Sequence, residues 1–126
     1  MEKNLNISEV EKLASFGGTF KKNRTGGRLV AFGSVRVNQD AVVYISELSD
    51  ISGLLFYYCT FDDVNLEVLS VLGIRNISVL HGNFGDVELQ QLKALRSLNT
   101  LKLHDTKVTQ QEIDKLTEHN PCLELL

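Results

Sequence analysis

The feature that most constrains this chain is an internal repeat of 23 or 24 residues. Seven mostly apolar positions recur in four copies with nearly constant spacing. In the last copy they are Leu98, Leu101, Leu103, Thr106, Val108, Ile113 and Leu116. The three earlier copies begin at Gly27, Ile51 and Ile74. Because a unit this short cannot bury its own apolar face, the copies are expected to stack on one another.

Each copy changes its apolar period part of the way along. Leu101 and Leu103 lie two residues apart, which predicts a short strand with one buried face. Ile113 and Leu116 lie three residues apart, which is typical of a helix. Residues suited to begin a helix stand at each change of period, and Glu112 follows the last of them as the partner in a capping box. These residues are Asn38, Asp62, Gly85 and Thr109.

The two ends of the chain depart from the repeat. The spacing of Leu5, Val10, Leu13 and Phe16 predicts an N-terminal helix. Ser8 and Glu11 form its expected capping box. Asn23, Gly26 and Gly27 indicate a turn, so Thr19–Lys22 and Arg28–Phe32 are predicted to form a hairpin that covers the open sheet edge. At the other end, Cys122 and Leu125 are expected to begin a last strand, with Cys122 partly buried.

Two segments resemble a known family. LNTLKLHDTKVTQQEIDKL resembles the repeats of planctomycete-type bacterial leucine-rich-repeat proteins, which follow L-x-L-x-x-T-x-V-T-D-x-x-L-x-x-L. VEKLASFGGTFKKNRTGGRLVAFGSVRVNQDAVVYISEL is similar to the N-terminal cap of those proteins. The resemblance implies an α/β leucine-rich-repeat solenoid, with parallel strands on the concave face, helices on the convex face, and a cap made of an N-terminal helix plus a β-hairpin. It also implies an interaction scaffold.

The expected organisation is a single domain over residues 1–126. Residues 1–26 form the cap, and residues 122–126 start the last strand. The four repeats between them span residues 27–50, 51–73, 74–97 and 98–121.

Several general features bound the cellular setting. Cys59 and Cys122 are too few to form a disulfide framework. The start, MEKNLNISEVEKL, lacks the basic lead and apolar run of a signal peptide, and no apolar stretch is long enough to span a bilayer. These features predict a cytoplasmic protein that does not bind membranes.

Stacking would place residues about 24 apart side by side on the sheet, so the exposed surface can be predicted. Leu55, Tyr57 and Leu80 are expected to form an apolar patch, and such patches mark contact sites. The predicted partner-binding residues are Leu55, Tyr57, Tyr58, Ser78, Leu80, His81, Lys102 and His104. The predicted function is a non-enzymatic protein–protein interaction module that binds another protein on the concave sheet face.

Three alternatives use other features of the chain. Small size and an acidic body favour a small cytoplasmic inhibitor or immunity-type protein. His81, His104 and Asp105 suggest a metal site, but one row of side chains supplies few ligands, so no metal or cofactor is predicted. Cys59 beside His81 suggests a nucleophile, but its place in the repeat points inward and predicts an inert thiol. The chain is therefore predicted not to be an enzyme.

The third alternative rests on basic residues near the N-terminus. Residues 17–39 contain five basic and no acidic side chains, whereas the rest of the chain carries eight basic and 16 acidic ones. Lys21, Lys22, Arg24 and Arg28 are thus candidate contacts to an anionic partner. The run lacks the spacing of a phosphate-binding loop, and the body beside it is acidic, so nucleic acid is disfavoured as the partner. The oligomeric state stays open.

Overall fold

The structure is a computed structural model in which residues 7–126 are described. It has a mixed α/β fold, with one open sheet of mostly parallel strands and a set of helices. The strands are β1 (Gly18–Lys22), β2 (Arg28–Gly33), β3 (Arg36–Val37), β4 (Ile51–Phe61), β5 (Asn76–Gly82), β6 (Thr100–His104) and β7 (Glu124–Leu125). The α-helices are α1 (Ile7–Ser15), α2 (Gln39–Ser46), α3 (Asp86–Gln91) and α4 (Gln110–His119), and 3₁₀ helices cover Leu66–Val71 and Leu92–Ala94. Leu5, predicted to belong to the first helix, lies outside the described residues.

The sheet follows the order β1-β2-β4-β5-β6-β7, with β3 beside the far end of β4. Only β1 and β2 run antiparallel, and they form the predicted hairpin. Along the parallel strands, Val30 pairs with Leu54, Leu54 with Ile77, and Ile77 with Leu101. The expectation that residues 23 or 24 apart lie side by side is therefore confirmed.

The core lies between the inward face of the sheet and the helices. Phe32 stacks on Phe56 with ring centroids 5.7 Å apart. Phe61 packs edge-on against both Phe56 and Phe84, at 5.0 and 5.3 Å. Each such side chain stabilises the fold by roughly 1.5–3 kcal/mol when fully buried. Because these rings come from three successive copies of the repeat, the core runs continuously through the stack.

Each copy of the repeat has a positive φ at an equivalent position, which lies close to the end of β2, β5 and β6 and inside β4. Ser34, Tyr58, His81 and Asp105 have φ values of 56°, 55°, 63° and 56°. These positions are 23 or 24 residues apart, as the repeat requires. The left-handed conformation turns the chain from the strand toward the helical side at the same level in every copy.

The helix starts agree with the sequence in part. The side chain of Asn38 accepts from the backbone N–H of Ala41, and the hydroxyl of Thr109 accepts from that of Glu112. Gly85 precedes α3, and its N–H donates to Glu88 Oε1 at 2.8 Å. The carboxylate of Glu112 does not complete a capping box; it accepts from Gln90 Nε2 and lies 2.9 Å from Lys115 Nζ.

Two predicted caps were wrong. Asp62 does not begin a helix, because its N–H extends the sheet by donating to Val37 O and the chain then turns at Asp63, where φ is 51°. Asn65 takes the role and accepts from the N–H of Glu67 at 3.0 Å. Ser8 does not precede the first helix, because it lies within α1.

The helical part of the second copy is a 3₁₀ helix rather than an α-helix. That copy is one residue shorter than the others, and a 3₁₀ helix covers more length per residue. Val68 and Val71 also reduce the α-helical preference of the segment. A shorter copy thus spans the same depth of core.

The last strand differs from its prediction. Cys122 is exposed rather than partly buried, and Leu123 takes the buried position. The N–H of Leu123 donates to Asn120 O, which closes a turn and delays the strand until Glu124. The predicted alignment of Leu125 with Leu101 is nevertheless confirmed.

We expect Gly82→Ala to lower the free energy of unfolding by about 3 kcal/mol, measured by urea denaturation. A Cβ at Gly82 would collide with the carbonyl oxygen of Cys59 on the neighbouring strand, and φ there is 110°. Gly73→Ala is the matched control, because a Cβ there meets nothing within 4 Å. The control should change stability by less than about 0.5 kcal/mol. Equal losses in both variants would contradict the strand packing.

Candidate functional site

The outward face of the sheet consists of the residues that alternate with the core positions. The strand register places these residues in three rows that cross β2, β4, β5 and β6. The first row is Leu29, Gly53, Asn76 and Thr100; the second is Ala31, Leu55, Ser78 and Lys102; the third is Gly33, Tyr57, Leu80 and His104. All the predicted partner-binding residues except Tyr58 and His81 lie in the second and third rows.

The hairpin turn closes part of the first row. Asn23 is buried, and its amide group donates to Ser52 Oγ at 2.9 Å and to Asn76 Oδ1 at 3.0 Å. The amide of Asn76 in turn donates to Thr100 Oγ1 at 2.8 Å. A Cβ on Gly53 would lie 2.8 Å from Asn23 Nδ2. The hairpin therefore protects the sheet edge and also covers this row, a role that sequence reasoning missed.

Ala31 is buried, but the other residues of the second and third rows are partly or fully exposed, and we call these two rows the open face. The side chain of Tyr57 is 45% exposed, and Leu55 and Leu80 are half-buried. Ala31 and Gly33, which lie near Tyr57, have a small side chain and none at all, respectively. A Cβ added to Gly33 would meet nothing within 4 Å. The open face is therefore a shallow apolar surface with a tyrosine standing above it.

An aromatic cluster borders the open face where the strands end. The rings of Tyr58 and His81 stack with centroids 4.4 Å apart and an interplanar angle of 10°. Tyr57 packs edge-on against Tyr58 at 4.7 Å, and His104 packs edge-on against His81 at 5.2 Å. The positive φ of Tyr58 and His81 places both rings in this cluster. Mutual packing restricts the rotamers of these rings, so little side-chain entropy would be lost in any contact they make.

His81 also forms a hydrogen bond to Asp105, its neighbour in the repeat. His81 Nδ1 lies 2.9 Å from Asp105 Oδ2. This hydrogen bond lowers the pKa of the Asp105 carboxyl, and the nearby charges of Lys107 and His104 lower it further. His81 and Asp105 are 24 residues apart, so their contact agrees with the side-by-side placement that the repeat predicts.

The four basic candidates near the N-terminus do not converge. Arg28 is engaged within the protein: it pairs with Glu9 at 3.1 Å, donates to Ser49 O and lies 4.5 Å above the ring of Phe20. Lys21 is exposed on β1 beside Leu29, so it borders the covered first row. The remaining two, Lys22 and Arg24, are exposed around the turn.

Cys59 lies on the buried side of β4. Its thiol donates to Phe32 O at 3.5 Å, and burial raises its pKa. This confirms the prediction of a buried thiol and separates Cys59 from the exposed aromatic cluster. Across residues 7–126, no group of three or more His, Cys, Asp and Glu side chains could hold a metal ion.

Comparison with protein-family models, with curated proteins and with solved structures found no match to this chain. In the part of the chain that the structure describes, each helix is too short or too polar to cross a bilayer.

We expect His81→Gly to raise the pKa of Asp105 toward its ordinary value, because the variant removes the main hydrogen-bond donor to the carboxylate. Glycine also tolerates the positive φ at this position. A carbon-detected NMR titration of Asp105 measures the change. His104→Ala is the control and should shift the pKa less, because His104 makes only a smaller electrostatic contribution.

The sign of the accompanying stability change follows from linkage. Because the pKa of Asp105 is lowered in the folded protein, its contribution to stability is complete above the pKa of an unfolded aspartate. It is lost as the pH falls through the folded-state pKa. An unchanged Asp105 titration in His81→Gly would contradict this assignment.

The two thiols should differ strongly in reactivity. In Cys122→Ser, a disulfide reagent such as DTNB should modify Cys59 only as fast as the protein opens, because the thiol is buried with a raised pKa. In the matched Cys59→Ser variant, the exposed Cys122 should react within seconds to minutes. Release of the coloured thiolate measures both rates, and rapid reaction of native Cys122→Ser would refute the burial of Cys59.

Proposed function

We propose that this protein is a leucine-rich-repeat type solenoid that acts as a non-enzymatic protein-binding module. Its concave side is the face made by the parallel strands. The partner contacts the open face and the adjoining aromatic cluster. The observation that carries this proposal is the exposed pair Tyr57 and Tyr58, 45% and 51% exposed, held on a rigid sheet.

The repeating geometry supports the solenoid. The strands from β2 to β7 pair in chain order except for the short β3, and their register follows the repeat length. Helical segments follow β3, β4, β5 and β6. The recurrent positive φ at equivalent positions gives each copy the same turn. Stacked units with one turn geometry and one core are the features that define a solenoid.

The chemistry of the open face supports protein binding. Tyrosine is enriched at binding hot spots because its ring offers apolar area and a hydroxyl group with few rotatable bonds. Leu55 extends that area along the second row and Leu80 along the third. Burial of such a surface stabilises a complex by about 25 cal/mol per Å² before the costs of association are deducted.

The state of the cysteines agrees with a reducing compartment. Cys59 and Cys122 are both free, and Cys122 is exposed. An exposed free thiol is best tolerated where glutathione keeps it reduced. We therefore place the proposed binding module in the cytoplasm.

We expect the double variant Tyr57→Ala, Leu80→Ala to lose the partners that the wild-type protein retains. Affinity capture from the native host, read by mass spectrometry, measures this loss. The variant should remain folded, because Tyr57 is largely exposed and Leu80 is only half-buried. Circular dichroism melting provides the check on folding.

The matched control is Val71→Ala, Val87→Ala. These valines are 75% and 64% exposed and lie on the helical side, so this variant also removes two exposed apolar side chains. It should retain every partner. If the open-face variant retained the partners and the control variant lost them, the binding site would lie on the helices.

A further inference from the structure

The open face and the helical side differ in charge. Lys102 and His104 end the second and third rows, and Lys107 lies just beyond them. In the described residues, neither row contains a carboxylate. Two carboxylates lie beside these rows: Asp105 is hydrogen-bonded to His81, and Glu124 pairs with Thr100 of the first row. The helical segments that follow the strands instead carry more acidic than basic side chains: Asp40, Glu67, Asp86, Glu88, Glu112, Asp114 and Glu118 against Lys93 and Lys115.

Lys102 is the free cation of the open face. Its side chain is exposed, and it forms no ion pair with any residue from 7 to 126. A partner that is basic at this point would be repelled, and one that is acidic would be attracted. The charge of the open face thus favours a carboxylate at its β6 end.

The other end of the open face suits an apolar group. Ala31 and Gly33 leave little side-chain volume on β2, and Tyr57 lies next to Gly33 on β4. An aliphatic or aromatic side chain placed over Gly33 would therefore contact the ring of Tyr57. Such a contact is the usual arrangement of a hot-spot anchor.

The distance between the two ends limits the spacing of the partner's residues. From β2 to β6 there are three strand intervals, or roughly 14 Å. An extended peptide advances about 3.3 Å per residue and presents alternate side chains to one side, so residues about four apart reach both ends.

Resting on the proposed function, we propose that the partner docks through an extended acidic segment that crosses the strands. An aliphatic or aromatic residue of the segment packs over Gly33 against Tyr57. A carboxylate about four residues away pairs with Lys102 and His104.

The observations favour a peptide over single-stranded nucleic acid. Tyr57 and the neighbouring Tyr58 could stack on bases, but Ala31, Leu55 and Leu80 on the open face are small or aliphatic. A nucleic acid backbone also requires a series of cations along its path. The open face offers Lys102 alone as a permanent cation.

The test is selection of random twelve-residue peptides displayed on phage against the wild-type protein. The enriched sequences should carry Asp or Glu about four residues from an aliphatic or aromatic residue. The best of these, made synthetically with a fluorescent label, is the probe for binding measurements. Lys102→Glu should weaken its binding about tenfold or more, because one attractive pair becomes repulsive.

Arg96→Glu is the charge-matched control, because Arg96 is exposed in the loop before β6 and away from the open face. It should alter binding less than twofold. The Lys102→Gln variant separates lost attraction from introduced repulsion, and its effect should be intermediate. Circular dichroism melting confirms that each variant is folded.

The outcomes separate this proposal from the proposed function. The enriched peptides could require Tyr57 and Leu80 for binding, lack acidic residues, and bind Lys102→Glu as tightly as the wild-type protein. That result would overturn the proposal of an acidic segment and would leave the proposed binding face in place. Probes indifferent to both sites, or no enrichment over an unrelated protein, would count against both. A larger loss in Arg24→Glu than in Lys102→Glu would move the anionic contact to the hairpin. Tighter binding of a twelve-residue oligouridylate at the same face would replace the peptide with nucleic acid.

Discussion

The parallel register of successive strands is the constraint on which the rest of the structure depends. Val30, Leu54, Ile77 and Leu101 pair in sequence, so each copy of the repeat completes the core of its neighbour. A slip by one residue would turn every core side chain outward. Exposing these apolar side chains to water would cost a large free energy. The outward rows are therefore fixed as firmly as the core. The surface offered to a partner is therefore a direct product of core packing.

The features that depend on the period of the repeat were predictable from the sequence. The contacts made between the repeats and the N-terminal helix and hairpin were not. The strand register, the burial of Cys59 and the contact between His81 and Asp105 follow from residue spacing alone. The cover over the first row comes from Asn23, which bonds to residues 29 and 53 positions away. Nothing in a 24-residue repeat encodes that contact. Arg28 was likewise read as a free cation because its partner, Glu9, lies on a helix outside the repeat.

The aromatic cluster shows how the turn geometry and the candidate site are linked. A positive φ favours Gly, Asn or Asp, yet Tyr58 and His81 occupy that conformation. Each such residue costs of order 1 kcal/mol relative to a better-suited one. Stacking at 4.4 Å and the hydrogen bond to Asp105 offset part of this cost. Tyr58 is exposed and His81 is partly exposed, so this cost falls at the surface where we propose that a partner binds.

The hairpin further narrows what can bind. Its antiparallel strand closes one sheet edge, and its turn covers the first row through Asn23 and Asn76. A segment that docks as proposed would thereby be confined to the second and third rows, between Gly33 at one end and Lys102 at the other. Confinement fixes the register of a segment that crosses the strands, because a shift of two residues would separate its anchor from Tyr57 or its carboxylate from Lys102. Specificity then arises from the spacing of two contacts rather than from the strength of either one.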